Sequence, residues 1–97
     1  MNKDSKESQD SAKYFMNEAA RYYEKALDYD EKFALSYYKL GFYYKNNQQY
    51  IKAKLFWEKQ QEYDDDTMRI DEIRNEIEQL DLYVRYETGY NYILNSE

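Results

Sequence analysis

Two stretches of twelve residues repeat each other at an offset of 34 positions. Residues 19–30 read AARYYEKALDYD, and residues 53–64 read AKLFWEKQQEYD. Five aligned positions are identical, and the closest of the remaining exchanges are Tyr22 for Phe56, Tyr23 for Trp57 and Asp28 for Glu62. A fixed period of this length is typical of a chain built from stacked supersecondary units.

The segment between the two stretches has the spacing of an amphipathic helix. Tyr37, Leu40 and Tyr44 follow one another at intervals of three and four residues, so they share one helix face. Gly41 and Ala53 are small, as required where two antiparallel helices approach closely. The spacing therefore predicts a helical hairpin with its core along these positions.

These residues resemble the signature of the tetratricopeptide repeat, a helix–turn–helix unit of 34 residues. Its W-x2-L-G-x2-Y segment corresponds to Tyr37, Leu40, Gly41 and Tyr44, and its A-x3-F segment to Ala53 and Trp57. The full unit would run from about Ala34 to Thr67, after the second helix of a preceding unit. The resemblance implies an all-α fold of about one and a half repeats. Gln48 replaces the glycine of the internal turn, so Asn46 or Asn47 is expected to adopt the left-handed conformation there.

We predict four helices, near residues 11–29, 32–46, 49–63 and 67–94. Residues 1–10 are predicted to form a flexible tail, since nothing in MNKDSKESQD can be buried. Residues 11–66 would form the repeats, and residues 67–97 a long acidic capping helix. Asp30 is expected to cap the second helix, and Asp66 or Thr67 the fourth.

The fourth helix carries an apolar stripe outside the repeat frame. The frame places core positions at four polar residues, Asp71, Arg74, Asn75 and Glu78. The stripe consists instead of Ile70, Ile73, Ile77, Leu80 and Val84, spaced by three and four residues. This pattern predicts a capping helix or one side of an association seam, not a third repeat. A second stripe, with Tyr83, Tyr86 and Tyr90, follows it.

The net charge of −6 is unevenly distributed. Residues 32–57 hold five lysines and no acid, whereas residues 58–97 hold twelve acidic and four basic groups. The charged residues could be solvated helix faces. Alternatively, the acidic C-terminal segment folds back on the basic middle, or that of a second chain does.

The composition excludes most site chemistry. The chain has no cysteine and no histidine, so thiolate, disulfide, imidazole–metal and His-activated nucleophile sites cannot form. We predict no catalytic residues, no metal, no cofactor and no enzymatic activity. No stretch reaches the length of a membrane span, and the default expectation is a cytoplasmic protein.

The resemblance implies a binding groove lined by the inner face of the second helix. The corresponding positions are Leu35, Tyr38, Lys39, Phe42, Lys45 and Asn46. Family members that clamp a C-terminal carboxylate use Lys and Asn where this chain has Tyr38 and Phe42, so a different ligand is expected. An amphipathic helix or extended segment with apolar anchors and acidic residues would fit better. The function predicted is a non-catalytic protein-interaction module: an adaptor, a small chaperone or an assembly subunit.

Two other functional interpretations remain open. The groove could be filled by the chain's own C-terminal helix or a sister chain's, which would make the protein a self-associating structural subunit. So few repeats suggest a homo-oligomer or membership of a larger complex. Nucleic-acid binding through the Lys32–Lys54 block is less favoured, because the net charge is −6.

Overall fold

The computed structural model describes the backbone of residues 2–95 and the side chains of residues 11–85. Within that part of the chain there are four helices. They are α1 (Asn2–Tyr29), α2 (Ala34–Asn46), α3 (Tyr50–Tyr63) and α4 (Thr67–Asn95). The predicted all-α fold of four helices is confirmed.

The helices differ from the prediction mainly at their N-termini. The helix α1 begins at Asn2 and not near Ser11, because residues 2–10 contain no proline or glycine to stop it. The side chains of the predicted tail, residues 1–10, lie outside the described residues, as does the second stripe beyond Tyr83. The predicted cap of α2 is wrong: its N-cap is Phe33, and Asp30 accepts a hydrogen bond from the Lys32 amide at 3.0 Å instead.

The turn between α2 and α3 places its left-handed residue at Gln48, with φ 62°. The expectation of Asn46 or Asn47 is wrong. Asn46 ends the helix and Asn47 is its C-cap with φ −94°. The amides of Gln48 and Gln49 donate to the carbonyls of Lys45 and Tyr44, both at 2.9 Å. The residue after the C-cap must adopt this conformation to satisfy the last carbonyls.

The core of the α2–α3 hairpin is centred on Trp57. Its side chain is fully buried, and its indole Nε1–H donates to the Tyr38 carbonyl at 3.2 Å. The indole lies directly against Gly41, where an added Cβ would overlap the ring. Leu40 and Ala53 are also fully buried. The short turn makes α2 and α3 antiparallel neighbours, with α1 packed on α2 and α4 on α3.

Tyrosines of α2 pack against aromatic residues of α3, and one of them connects the hairpin to α1. The Tyr37 ring lies 6.0 Å from that of Phe56 and 5.9 Å from that of Tyr63. Tyr44 stacks on Phe56 at 5.2 Å, and its hydroxyl donates to Glu24 of α1 at 2.7 Å. Burial, with that hydrogen bond to Glu24, raises the pKa of Tyr44 to about 12.

The helix α4 faces the core with its apolar stripe. Ile73 and Leu80 are buried, and Ile77 packs against the core cluster. All four polar positions of the repeat frame are exposed: Asp71, Arg74, Asn75 and Glu78. The helix is therefore rotated away from the orientation of a repeat helix, as its sequence pattern predicts.

Gly41→Ala should destabilise the fold by about 1–3 kcal/mol, because the new methyl group overlaps the Trp57 indole. Ser36→Ala is the matched control on the same helix. Its hydroxyl is buried and, among the described residues, lacks a hydrogen-bond partner, so this variant should keep or gain up to about 1 kcal/mol. Denaturant unfolding measures both. Equal stability of Gly41→Ala and the native chain would contradict the packing described.

Gln48→Gly should stabilise the protein by up to about 1 kcal/mol, because glycine adopts positive φ without steric strain. Asn47→Gly, one residue earlier at negative φ, should instead lower the free energy of unfolding. Thermal unfolding of the two variants side by side tests the assignment, and the opposite order of stability would refute it.

Candidate functional site

The predicted groove positions lie along α2 with different degrees of exposure. Lys39 and Asn46 are exposed, whereas the other four side chains, Leu35, Tyr38, Phe42 and Lys45, are half-buried. The Phe42 ring lies 5.0 Å from that of Trp57 and 5.2 Å from that of Tyr38, both edge to face. Phe42 is thus supported by the hairpin core.

The acidic face of α4 reaches two of these six positions. The Tyr38 hydroxyl donates to both carboxylate oxygens of Glu72, at 2.9 and 3.1 Å. Lys45 Nζ donates to Glu76 at 2.7 Å. Since Glu72 and Glu76 are four residues apart, they project from the same side of the helix. Burial and the hydrogen bond to Glu72 raise the pKa of Tyr38.

A third contact extends this pairing along α4. Lys54 Nζ of α3 lies 2.7 Å from Asp81, and this hydrogen bond raises the pKa of Lys54. Two of the five lysines of the basic middle, Lys45 and Lys54, therefore face carboxylates of α4 in the same chain. Of the alternatives left open by the charge distribution, folding back within one chain is the arrangement found.

The junction of α3 and α4 contains a buried carboxylate that sequence reasoning missed. The sequence pattern predicts Asp66 or Thr67 as a helix cap but does not single out Asp64. The Asp64 side chain is completely buried, and its carboxylate accepts hydrogen bonds from both Nε and Nη2 of Arg69 at 2.9 Å. It also accepts Gln60 Nε2 at 2.6 Å and the Asp66 amide at 3.0 Å. One sequence signal could have identified this carboxylate. Arg69, the only basic residue between Gln60 and Ile73, follows Asp64 by five positions and can pair with it.

These four bonds lower the pKa of Asp64 to about 2, with the Arg69 guanidinium as the largest cause. Asp66 acts as the predicted cap of α4, since its Oδ1 accepts the amides of Met68 and Arg69 at 3.0 and 3.3 Å. Gln60, which donates to Asp64, is fully buried. The junction therefore fixes the direction in which α4 leaves α3.

A helical hairpin that shares a 34-residue period with a preceding helix defines a helical-repeat protein. Residues 22–54 match the family model of the tetratricopeptide repeat. The match runs from the second half of α1 through α2 to the start of α3, and over these residues the chain is similar to a tetratricopeptide repeat. No curated protein and no solved structure matches the chain.

Among the described residues, none of the helices has an apolar stretch sufficient to span a membrane. In the same part of the chain, no group of three or more acidic side chains is placed to hold a metal ion.

Asp64 should make stability depend on pH in the acid range. A carboxyl whose pKa is lowered on folding stabilises the native state above its unfolded pKa, 3.8, and this contribution is lost as pH falls toward about 2. The loss amounts to about 2 kcal/mol. Denaturant unfolding of the native chain and Asp64→Asn should show their stability difference shrinking over this range.

The exposed neighbour provides the control for this measurement. Asp65→Asn should follow the native pH profile, because Asp65 is exposed. A pH profile of Asp64→Asn parallel to that of the native chain would contradict the proposed role of the buried carboxylate.

Proposed function

We propose that the chain is a non-catalytic protein-interaction module, acting as an adaptor, a small chaperone or an assembly subunit. The observation that carries this proposal is the tetratricopeptide repeat at residues 22–54. Each repeat is a short helical scaffold that presents side chains to another polypeptide. Such repeats are generally not catalytic.

The part of the α2 face that α4 leaves accessible is the proposed binding surface. Leu35 and Phe42 supply half-buried apolar area, and Lys39 and Asn46 supply exposed polar groups at its edge. Lys39 is exposed, so its charge is accessible to a ligand, and its Nζ lies 5.6 Å from the centre of the Tyr38 ring. An amphipathic helix or extended segment with apolar anchors and carboxylates would match these groups.

The chain's own α4 illustrates this ligand chemistry. Its carboxylates Glu72 and Glu76 bind the Tyr38 hydroxyl and the Lys45 ammonium, two of the groups that an acidic partner would use. A partner therefore either binds beside α4 or competes with these two carboxylates.

The same contacts favour a second candidate function. If α4 is the permanent occupant of the groove, the chain is a structural subunit that associates through other surfaces. Under this alternative the α2 face has no external ligand, and Glu72 and Glu76 only stabilise the subunit.

A selection of displayed acidic amphipathic peptides on the immobilised full chain distinguishes the two. We expect enriched peptides whose binding weakens about fivefold or more in Lys39→Glu, because a cation facing their carboxylates becomes an anion. Lys32→Glu, the same charge change at an exposed position before α2, should bind like the native chain.

A further variant tests competition by α4. Glu72→Gln with Glu76→Gln should bind the selected peptides more tightly than the native chain does, since two competing carboxylates are removed. If no peptide depends on Lys39 in either background, the groove proposal is wrong and the structural-subunit alternative is favoured.

A further inference from the structure

The helix α1 carries a regular apolar stripe that is separate from the groove. Six positions recur at alternating intervals of three and four residues, the spacing of a two-helix seam. Small and aromatic residues alternate along it. We call this stripe the alanine–aromatic seam, and it consists of Ala12, Phe15, Ala19, Tyr22, Ala26 and Tyr29.

Five of the six seam positions are exposed, and Ala26 is half-buried. Phe15, Tyr22 and Tyr29 are 67%, 74% and 87% exposed. The contacts of α1 with α2 use other positions, such as the buried Ala20 and Asn17, whose Oδ1 accepts the Tyr43 hydroxyl at 2.7 Å. A hollow of about 520 Å³ runs beside the C-terminal end of the seam.

The 34-residue period shows what kind of element fits here. Tyr22 and Tyr29 correspond to Phe56 and Tyr63 of α3, whose rings lie 6.0 and 5.9 Å from the Tyr37 ring of α2. Ala19 corresponds to Ala53, which is fully buried. The equivalent face of α3 is therefore covered by a helix, whereas no described residue covers the face of α1. A helix is the occupant that these positions accept.

We propose that the occupant is α1 of a second copy of the chain, packed antiparallel. In this arrangement Ala19 lies opposite the second copy's Tyr22, Phe15 opposite its Ala26, and Ala12 opposite its Tyr29. Twofold symmetry repeats the three pairs, so each of the six layers joins one small and one large side chain. Such layers fill space evenly and allow the helices to approach closely.

A parallel pair would be packed poorly. It would place aromatic residues against aromatic residues in one layer, and alanine against alanine in the next. Overcrowded layers would then alternate with voids, and both are destabilising. Two copies of this alternating pattern of alanine and aromatic residues therefore fit together only when the helices are antiparallel.

The charges beside the seam have the same complementarity. Glu18 and Lys25 are both exposed and lie one heptad apart on one flank. In the antiparallel pair, Glu18 of each copy lies beside Lys25 of the other. Within one chain, Glu18 makes a solvent-exposed contact with Arg21 at 3.3 Å. On the other flank, Met16, which is 42% exposed, faces the second copy's Tyr23.

The interface would be modest in area. Three aromatic side chains per copy, at roughly 150–250 Å² each, bury on the order of 1,000 Å² over the two copies. Specific interfaces begin at about 1,000–1,200 Å². We therefore expect a reversible dimer whose population rises with protein concentration.

Sedimentation velocity of the full chain over a range of concentrations tests the dimer. Tyr22→Glu should weaken dimerisation about tenfold or more, because it places a carboxylate against the second copy's Ala19. Leu55→Glu is the control, since Leu55 is 58% exposed and lies on α3, away from the seam. It should dimerise like the native chain. Circular dichroism checks that both variants keep their helices.

Charge reversal tests the direction of packing. Glu18→Lys and Lys25→Glu should each weaken the dimer, because each brings like charges together across the interface. The double variant should restore it. A monomer at every concentration, a dimer unaffected by Tyr22→Glu, or a double variant no better than the single ones would overturn the proposal. None of these results would affect peptide binding at the α2 groove.

Discussion

The contact between the Trp57 indole and the backbone of α2 is the constraint on which the rest of the structure depends. The ring lies against Gly41 and donates its N–H to the Tyr38 carbonyl. Only glycine leaves room for an indole at that distance, and the hydrogen bond satisfies the polar end of a buried ring. The close approach that results brings Tyr37 and Tyr44 onto the aromatic side chains of α3. It also places Phe42 over the core, where it forms the floor of the proposed groove.

Electrostatics determines how α4 is added to this hairpin. On folding, the Asp64 carboxylate loses its contact with water. It accepts hydrogen bonds instead from the Arg69 guanidinium, the Gln60 side-chain amide and the Asp66 backbone amide. A buried carboxylate is tolerated only with such complete pairing. The junction then directs α4 along α3, with Ile73 and Leu80 buried. Glu76 and Asp81 pair with Lys45 and Lys54, and Glu72 pairs with the Tyr38 hydroxyl. The basic middle is partly neutralised by the chain itself, which weakens the case for nucleic-acid binding.

Two surfaces of different character remain. The α2 face combines apolar area with exposed Lys39 and suits an acidic segment, whereas the α1 seam carries exposed aromatic residues and suits another helix. Both follow from a repeat scaffold in which each unit covers one face of the next. The helix α1 occupies the position of a second repeat helix without a described first helix against it. Among the described residues, the alanine–aromatic seam is therefore the apolar surface with the least packing against another helix.

The sequence by itself determined the helices, the 34-residue frame and the core positions Leu40, Gly41, Tyr44, Ala53 and Trp57, because spacing and residue size are local properties of the chain. It also indicated the rotation of α4 through the polar residues at its frame positions. Only the tertiary structure decided that Gln48 takes the left-handed turn, that Asp64 is buried against Arg69, and that α4 supplies carboxylates to Tyr38 and Lys45. Those outcomes depend on how helix ends and side chains meet across the fold, which no periodicity along the chain encodes.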